Sequence, residues 1–298
     1  MIDEHPAAGP GLIRGLLGAL FLVAAYFAID QIESAGYALF ATAFGLHMVS
    51  HGEMGLLPYA SLMLVRLALD LLVVAGVIAI LGRPWRGFPL MGPRPVPLTF
   101  AGLAIRLMVM IATILAIIAS GSATVAASAQ TATSAAVYGS GWLVFDFIGA
   151  AGEELYGRVA ILLVAQSLIG WRGAIVVSGL MFSVLHLVNP GVSWLWLLRL
   201  FVQGALLAYA VYRTGSIWWS IGYHTGWNWA SAPLFGAAGS GYLDQGHLFD
   251  FRPTGSLWIT GGPIGPEGSV FAFLAVLCAF GLFKATTSSS RLRNSLST

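Results

Sequence analysis

Three short stretches of the chain carry side chains that could do chemistry. GEELYGR (152–158) holds Glu153, Glu154 and Arg158, MFSVLH (181–186) holds Phe182 and His186, and HTGWN (224–228) holds His224 and Asn228. All three lie in runs that are otherwise apolar. An ionisable side chain at bilayer depth costs roughly 2.5–3.5 kcal/mol on insertion scales, so it usually faces other helices, finds a partner there and marks a functional site. Glu154 and Arg158 are four apart with the acid first, which puts them on one helix face in the better order for pairing. Glu153 is turned about 100° from Glu154, so the local pair leaves its carboxylate without a counter-charge. A purely structural ion-pair network accounts for Glu154 and Arg158 and accounts less well for Glu153. Gly157, one turn after Glu153, removes a side chain where a neighbouring helix or a substrate backbone could approach.

Phe182 and His186 are also four apart, as are His224 and Asn228, and each pair is expected on one helix face. A lone His on an apolar helix is more often a satisfied packing residue. Two His, a spare Glu and an Asn from three helices are harder to assign to packing, whereas Phe182 is expected only to shape a cavity wall. Hydrolysis suits this set. A carboxylate can take a proton from water, one imidazole can orient or share that proton, and a second imidazole with a carboxamide can hold an oxyanion. Zinc is a second option, with Glu153, His186 and His224 as three ligands and a fourth place for water. The sequence leaves both open. It contains no HExxH and no G-x-S-x-G, and Ser140 and Ser240 read as loop residues.

The elements that must position these residues are membrane helices. Of 298 residues, 58% are hydrophobic and 9% charged, against about 25% charged in an ordinary soluble domain. A formal charge of +2 with scattered basic residues argues against a nucleic-acid partner. Spans of about 20 apolar residues are expected near 12–30, 59–81, 99–119, 140–168, 173–188, 194–213, 216–231 and 268–284. The shorter stretch 37–49, running into His47, His51 and Glu53, reads as re-entrant or interfacial. The expected fold is an all-α, polytopic transmembrane bundle of about eight helices around a central polar cavity. It forms a single domain over 1–298, with a catalytic core at about 140–231 and a polar cytoplasmic tail at 285–298. Arg83, Arg86, Arg94, Arg172, Arg213, Lys284, Arg291 and Arg293 fall on one side of such a layout, which puts both termini in the cytoplasm. The Pro-rich 83–97 reads as a rigid linker and 120–136 as a bland external loop. Arg66 and Asp70 form a further four-apart pair, Asp146 is expected near the outer interface, Arg106 and Arg199 can snorkel or pair, and Cys278 reads as a buried, inert thiol.

Taken together, EELYGR, FSVLH and HTGWN match the EExxxR, FxxxH and HxxxN motifs of the CAAX prenyl protease and bacteriocin-processing (CPBP) family of intramembrane proteases, which this chain resembles over about 140–231. The resemblance implies that Glu153 and His186 activate water, that His224 and Asn228 stabilise the oxyanion, and that Glu154 and Arg158 support them. Members of the family are described both as metalloproteases and as metal-free Glu/His enzymes. The implied substrate is a membrane-associated or lipidated peptide or protein. Low Lys and high Ala, Gly and Trp resemble a high-GC bacterium, hence a bacterial cytoplasmic membrane. Buried Glu, His and Arg among short helices also describe a proton-coupled transporter, although no paired halves are evident, and a non-catalytic scaffold acting through partners is the third reading. The oligomeric state is not legible.

Overall fold

The computed structural model describes residues 10–45, 47, 49–50, 52–83 and 89–295. Six segments among these are long and apolar enough to cross a membrane. They are α1 (Pro10–Phe44), α2 (Leu56–Leu81), α3 (Pro95–Ala119), the continuous stretch Ala132–Val184, α6 (Trp194–Thr214) and the first part of α9 (Val270–Ser295). The continuous stretch comprises α4 (Ala132–Glu154), a π-helical turn at Leu155–Ile161 and α5 (Leu162–Val184), and it breaks at Gly170, whose φ of 72° and ψ of 174° are not helical. The shorter α7 (Trp218–Trp229) continues into a second π-helical turn, Ala230–Leu234, around Pro233. Proline has no N–H to give an i→i−4 ladder, so the wider turn falls where the α pattern cannot hold. The architecture is the all-α polytopic bundle expected.

Several local expectations are corrected. Residues 37–44 are the last turns of α1, which at 35 residues runs about 52 Å and outreaches a hydrocarbon layer of about 30 Å. Glu33, between the two expected stretches, lies inside α1 and pairs with Arg66 at 3.2 Å. His51 lies outside the described residues, as does Arg86. Instead of a loop, 120–136 holds β3 (Ala123–Ala127) and the start of α4, where the Thr131 hydroxyl accepts from the Ser134 N–H. Its partner β5 (Phe249–Pro253) is remote in sequence, and the two pair antiparallel. Nearby, β1 (Val49–Ser50), β2 (Glu53–Met54) and β4 (Leu243–Asp244) form a small sheet, followed by the single turn α8 (Leu257–Thr260). Ser140 is helical, its hydroxyl donating to the Ala136 carbonyl at 2.6 Å. Cys278 is exposed on α9 beside Leu274 and Leu277. The helix α9 runs on to Ser295, through most of what reads as a tail.

Two packing arrangements aim the chemistry inward. Val73, Val74 and Val77 of α2 pack against Leu155, Val159 and Ala160 of the first π-helical turn. On α7, Gly222 and Gly226 lie against the α3 backbone, where an added Cβ at Gly222 would run into the Thr99 carbonyl and one at Gly226 would come within 3.0 Å of the Leu103 carbonyl. His224 and Asn228 each follow one of these glycines by two residues, about 200° around the helix, so close packing on one face directs them to the other. Replacing Gly222 by Ala is therefore expected to cost about 1–3 kcal/mol through overpacking. A lower melting midpoint in detergent checks this, and an unchanged midpoint would contradict the close α3–α7 approach.

Candidate active site

Glu153, Arg158, Phe182, His186, His224 and Asn228 line one cavity of about 480 Å³. Glu154 sits directly behind it, fully buried. The ion pair expected from four-apart spacing is present, with Arg158 Nε 3.1 Å from Glu154 Oε2. Glu154 does more than the spacing suggests, because its Oε1 accepts a hydrogen bond from His224 Nδ1 at 2.9 Å. Glu153 is not left without a charged neighbour either, since its Oε2 stands 3.8 Å from His224 Nε2. Its side chain is 39% exposed, against 0% for Glu154, so adjacent carboxylates differ in access to water as their helix positions imply.

His186 departs from the expected geometry. The helix α5 ends at Val184, and His186 lies in the turn beyond it. The following Asn189-Pro190 disfavours helical backbone at Asn189, so the segment cannot continue as helix. The imidazole folds back, and its Nδ1–H donates to the Phe182 carbonyl at 2.7 Å. A carbonyl can only accept, which places the proton on Nδ1 and leaves Nε2 of the neutral ring as an acceptor. Phe182 is buried between the two imidazoles, its ring centroid 4.8 Å from that of His186 and 5.6 Å from that of His224, with the Arg158 guanidinium 4.4 Å from the ring centre. It spaces the two His as well as forming wall.

The π-helical turn explains the position of Gly157. A Cβ there would meet nothing within 4 Å, so the missing side chain opens onto the cavity and no helix fills the gap. Its carbonyl accepts from the Ser178 hydroxyl of α5 at 3.0 Å, which supplies a partner where the widened turn disturbs the α ladder.

Other residues of the cavity were not legible as site residues. Arg66 joins Asp70 (3.0 Å) to Glu33 of α1 (3.2 Å) on one wall. Asp146 is buried in the wall and accepts from the Tyr59 hydroxyl at 3.2 Å. Ser240 lines the cavity with a positive φ, its carbonyl accepting from Asn189 Nδ2 at 2.9 Å. Arg106 and Arg199 both pair inside the bundle, the first with the Tyr223 hydroxyl and the second with Glu267. Four-apart spacing reveals Asp70 as a partner for Arg66, but no sequence signal reveals pairings between distant segments.

Glu153, His186 and His224 do not assemble as a zinc ligand set. Among the described residues no three His, Cys, Asp or Glu side chains gather at coordinating spacing. The 3.8 Å between His224 Nε2 and Glu153 Oε2 exceeds the roughly 3.4 Å edge of a tetrahedron with ligands at about 2.0–2.1 Å.

Neither the curated proteins nor the solved structures yield a match to this chain. Residues 137–230 match the family model described as type II CAAX prenyl endopeptidase Rce1-like. That interval contains all three motifs, and with the apolar helices it makes this an integral, multi-pass membrane protein. Over residues 137–230 the chain carries an Rce1-like domain, and the resemblance to the CAAX prenyl protease and bacteriocin-processing family is thereby shown.

Proposed function

We propose that this protein is an intramembrane endopeptidase that cleaves a membrane-associated or lipidated peptide or protein. The observation that carries the reading is the convergence of Glu153, His186, His224 and Asn228 on one cavity, with both imidazoles oriented through Nδ1. Glu153, the solvent-accessible carboxylate, takes a proton from a water molecule, and Nε2 of His186 accepts a hydrogen bond from that water and orients it. The hydroxide attacks the scissile carbonyl carbon, and the oxygen left with the negative charge is held by Nε2–H of His224 and by the Asn228 carboxamide. As the tetrahedral intermediate collapses, the C–N bond breaks and the proton held by Glu153 passes to the leaving amine.

Donation from His224 Nε2 requires that the ring carry both protons, since Nδ1–H is already committed to Glu154. Its neighbours supply the charge for this. Glu153, Glu154, Arg158 and a protonated His224 sum to zero, the balance a buried network needs. Glu154 is a positioning residue, acting through His224. Both termini are assigned to the cytoplasmic side of a bacterial membrane, supported by the basic residues near the helix ends on that side.

The test uses purified protein in detergent and a quenched fluorescent peptide library, comparing wild type with Glu153→Ala and His186→Ala. Cleavage is expected from wild type only, and a chelator is expected to leave the rate unchanged. Cleavage persisting in both variants would remove the site assignment, and loss of activity on chelation with recovery on added zinc would overturn the metal-free chemistry.

A further inference from the structure

The acidic end of the cavity, away from the motif residues, is unused by the reaction above. Asp146 of α4 is 97% buried, at 3% exposure, and lines the cavity. Its Oδ1 accepts from the Tyr59 hydroxyl at 3.2 Å, while its Oδ2 has no hydrogen-bond partner among the described residues. Trp142, four residues earlier on the same helix face, has its ring 5.1 Å from that of Tyr59. The Trp142 indole N–H donates at 2.9 Å to the carbonyl of Gln245, the residue after Asp244. Asp244 is itself buried and lines the same cavity. One small region therefore holds two buried carboxylates and two aromatic rings.

The cations of the cavity are engaged elsewhere. Arg66 is bound by Glu33 and Asp70, and Arg158 by Glu154. Among the described residues neither Asp146 nor Asp244 has an ion-pair partner. Buried carboxylates are paired or pay heavily for their charge. Burial, together with the nearby Glu53 carboxylate, pushes the Asp244 carboxyl up to about 8, so a bound cation is the partner that would hold it ionised at neutral pH. Two carboxylates beside a Tyr and a Trp ring are a set of groups that attracts an ammonium or guanidinium.

We propose that Asp146 and Asp244, with the rings of Tyr59 and Trp142, form a subsite for a cationic side chain, Lys or Arg, of the peptide substrate. The proposal rests on the peptidase reading for its place in catalysis. Asp146 and Glu153 are seven apart on one helix, nearly two full turns, so they share a face about 10.5 Å apart along the axis. An extended peptide covers that distance in about three residues. The cationic residue is then expected about three positions from the bond that is cut.

Binding is measured first, so that the answer does not depend on turnover. Fluorescent peptides identical except for Lys or acetyl-Lys at one position, stepped along the sequence, are titrated by anisotropy into wild type, Asp146→Asn and Asp244→Asn in detergent. Wild type is expected to prefer the Lys peptide by about tenfold or more, and each variant to reduce that preference, as loss of a charge-assisted contact requires. The two variants are independent, so failure of one to fold leaves the other to decide. Equal binding of Lys and acetyl-Lys peptides by wild type, or an undiminished preference in the variants that fold, overturns the subsite. The same peptides are then assayed for cleavage. A Lys preference in binding without any cleavage upholds the cationic pocket and removes the peptidase reading, whereas cleavage without charge preference does the reverse. A Lys preference shared by peptides with the charge at every position shows general attraction of cations and overturns the three-residue placement.

Discussion

Glu153→Gln lowers peptide cleavage by about 10²–10⁴-fold, the span a positioned general base contributes, and leaves the melting midpoint close to wild type. The adjacent Glu154→Gln lowers both. The contrast follows from what each carboxylate touches. Glu153 has a 39% exposed side chain, and His224 Nε2 stands 3.8 Å from its carboxylate. Removing its charge takes away the proton acceptor, while Arg158 keeps the Glu154 carboxylate and His224 can release its second proton, so no fixed buried cation is stranded. Glu154 is fully buried and lies between Arg158 at 3.1 Å and His224 at 2.9 Å. Glutamine there can still accept from His224 Nδ1, but it leaves the Arg158 guanidinium, 1% exposed, without a counter-charge. Breaking a buried pair from one side costs about 3–5 kcal/mol, and the His224 imidazolium loses the carboxylate that favours its second proton. Activities and melting midpoints measured side by side check the pair. Two variants with the same melting midpoint and the same residual activity would show that the two carboxylates do not divide the work in this way.

That division was partly legible before any coordinates. The 3.6-residue period separates Glu153 from the Glu154–Arg158 face, and the structure gives the two acids different surroundings, as this implies. The same period also identified the Arg66–Asp70 pair. It could not show that Glu154 reaches across to His224, because that contact joins α4 to α7 and depends on how the helices are stacked. His186 shows a second limit. Spacing placed it on a helix face with Phe182, but Pro190 ends the helix early and the imidazole caps the very carbonyl that the helix would have used. The residues remain neighbours for a different reason. Residues 120–136 illustrate a third, since a five-residue strand of small side chains has no visible partner until Phe249–Pro253 folds back onto it. Helix existence and local pairs were written in periodicity, whereas the cavity's acidic end and its strands were written in contacts between distant segments.

The largest loss of stability is expected at Glu267, a residue outside every motif. Its side chain is 1% exposed and ties three elements together. Oε2 accepts from Arg199 Nη2 of α6 at 2.7 Å and from the Trp227 indole N–H of α7 at 2.6 Å, and Oε1 accepts from the backbone N–H of Ser240. Arg199, fully buried, also donates to Gln203 at 2.6 Å and lies 4.2 Å from the centre of the Trp227 ring. Trp227 precedes Asn228, and the Ser240 carbonyl holds Asn189 just beyond His186. Glu267 thus fixes the chain on both sides of the proposed oxyanion and water-activating groups without entering the cavity. Glu267→Ala strands the Arg199 charge and orphans two N–H donors, so a cost of about 3–5 kcal/mol or more follows, which lowers the melting midpoint by roughly 10 °C. Removing both charges is gentler than removing one, because an apolar pair of similar volume can replace a buried ion pair at little cost. Arg199→Met with Glu267→Leu should therefore recover part of the stability lost in Glu267→Ala, while peptide cleavage stays reduced because the Ser240 and Trp227 contacts are not restored. Melting curves of the single and double variants decide it: a double variant less stable than Glu267→Ala would mean that packing, and not the stranded arginine, sets the cost.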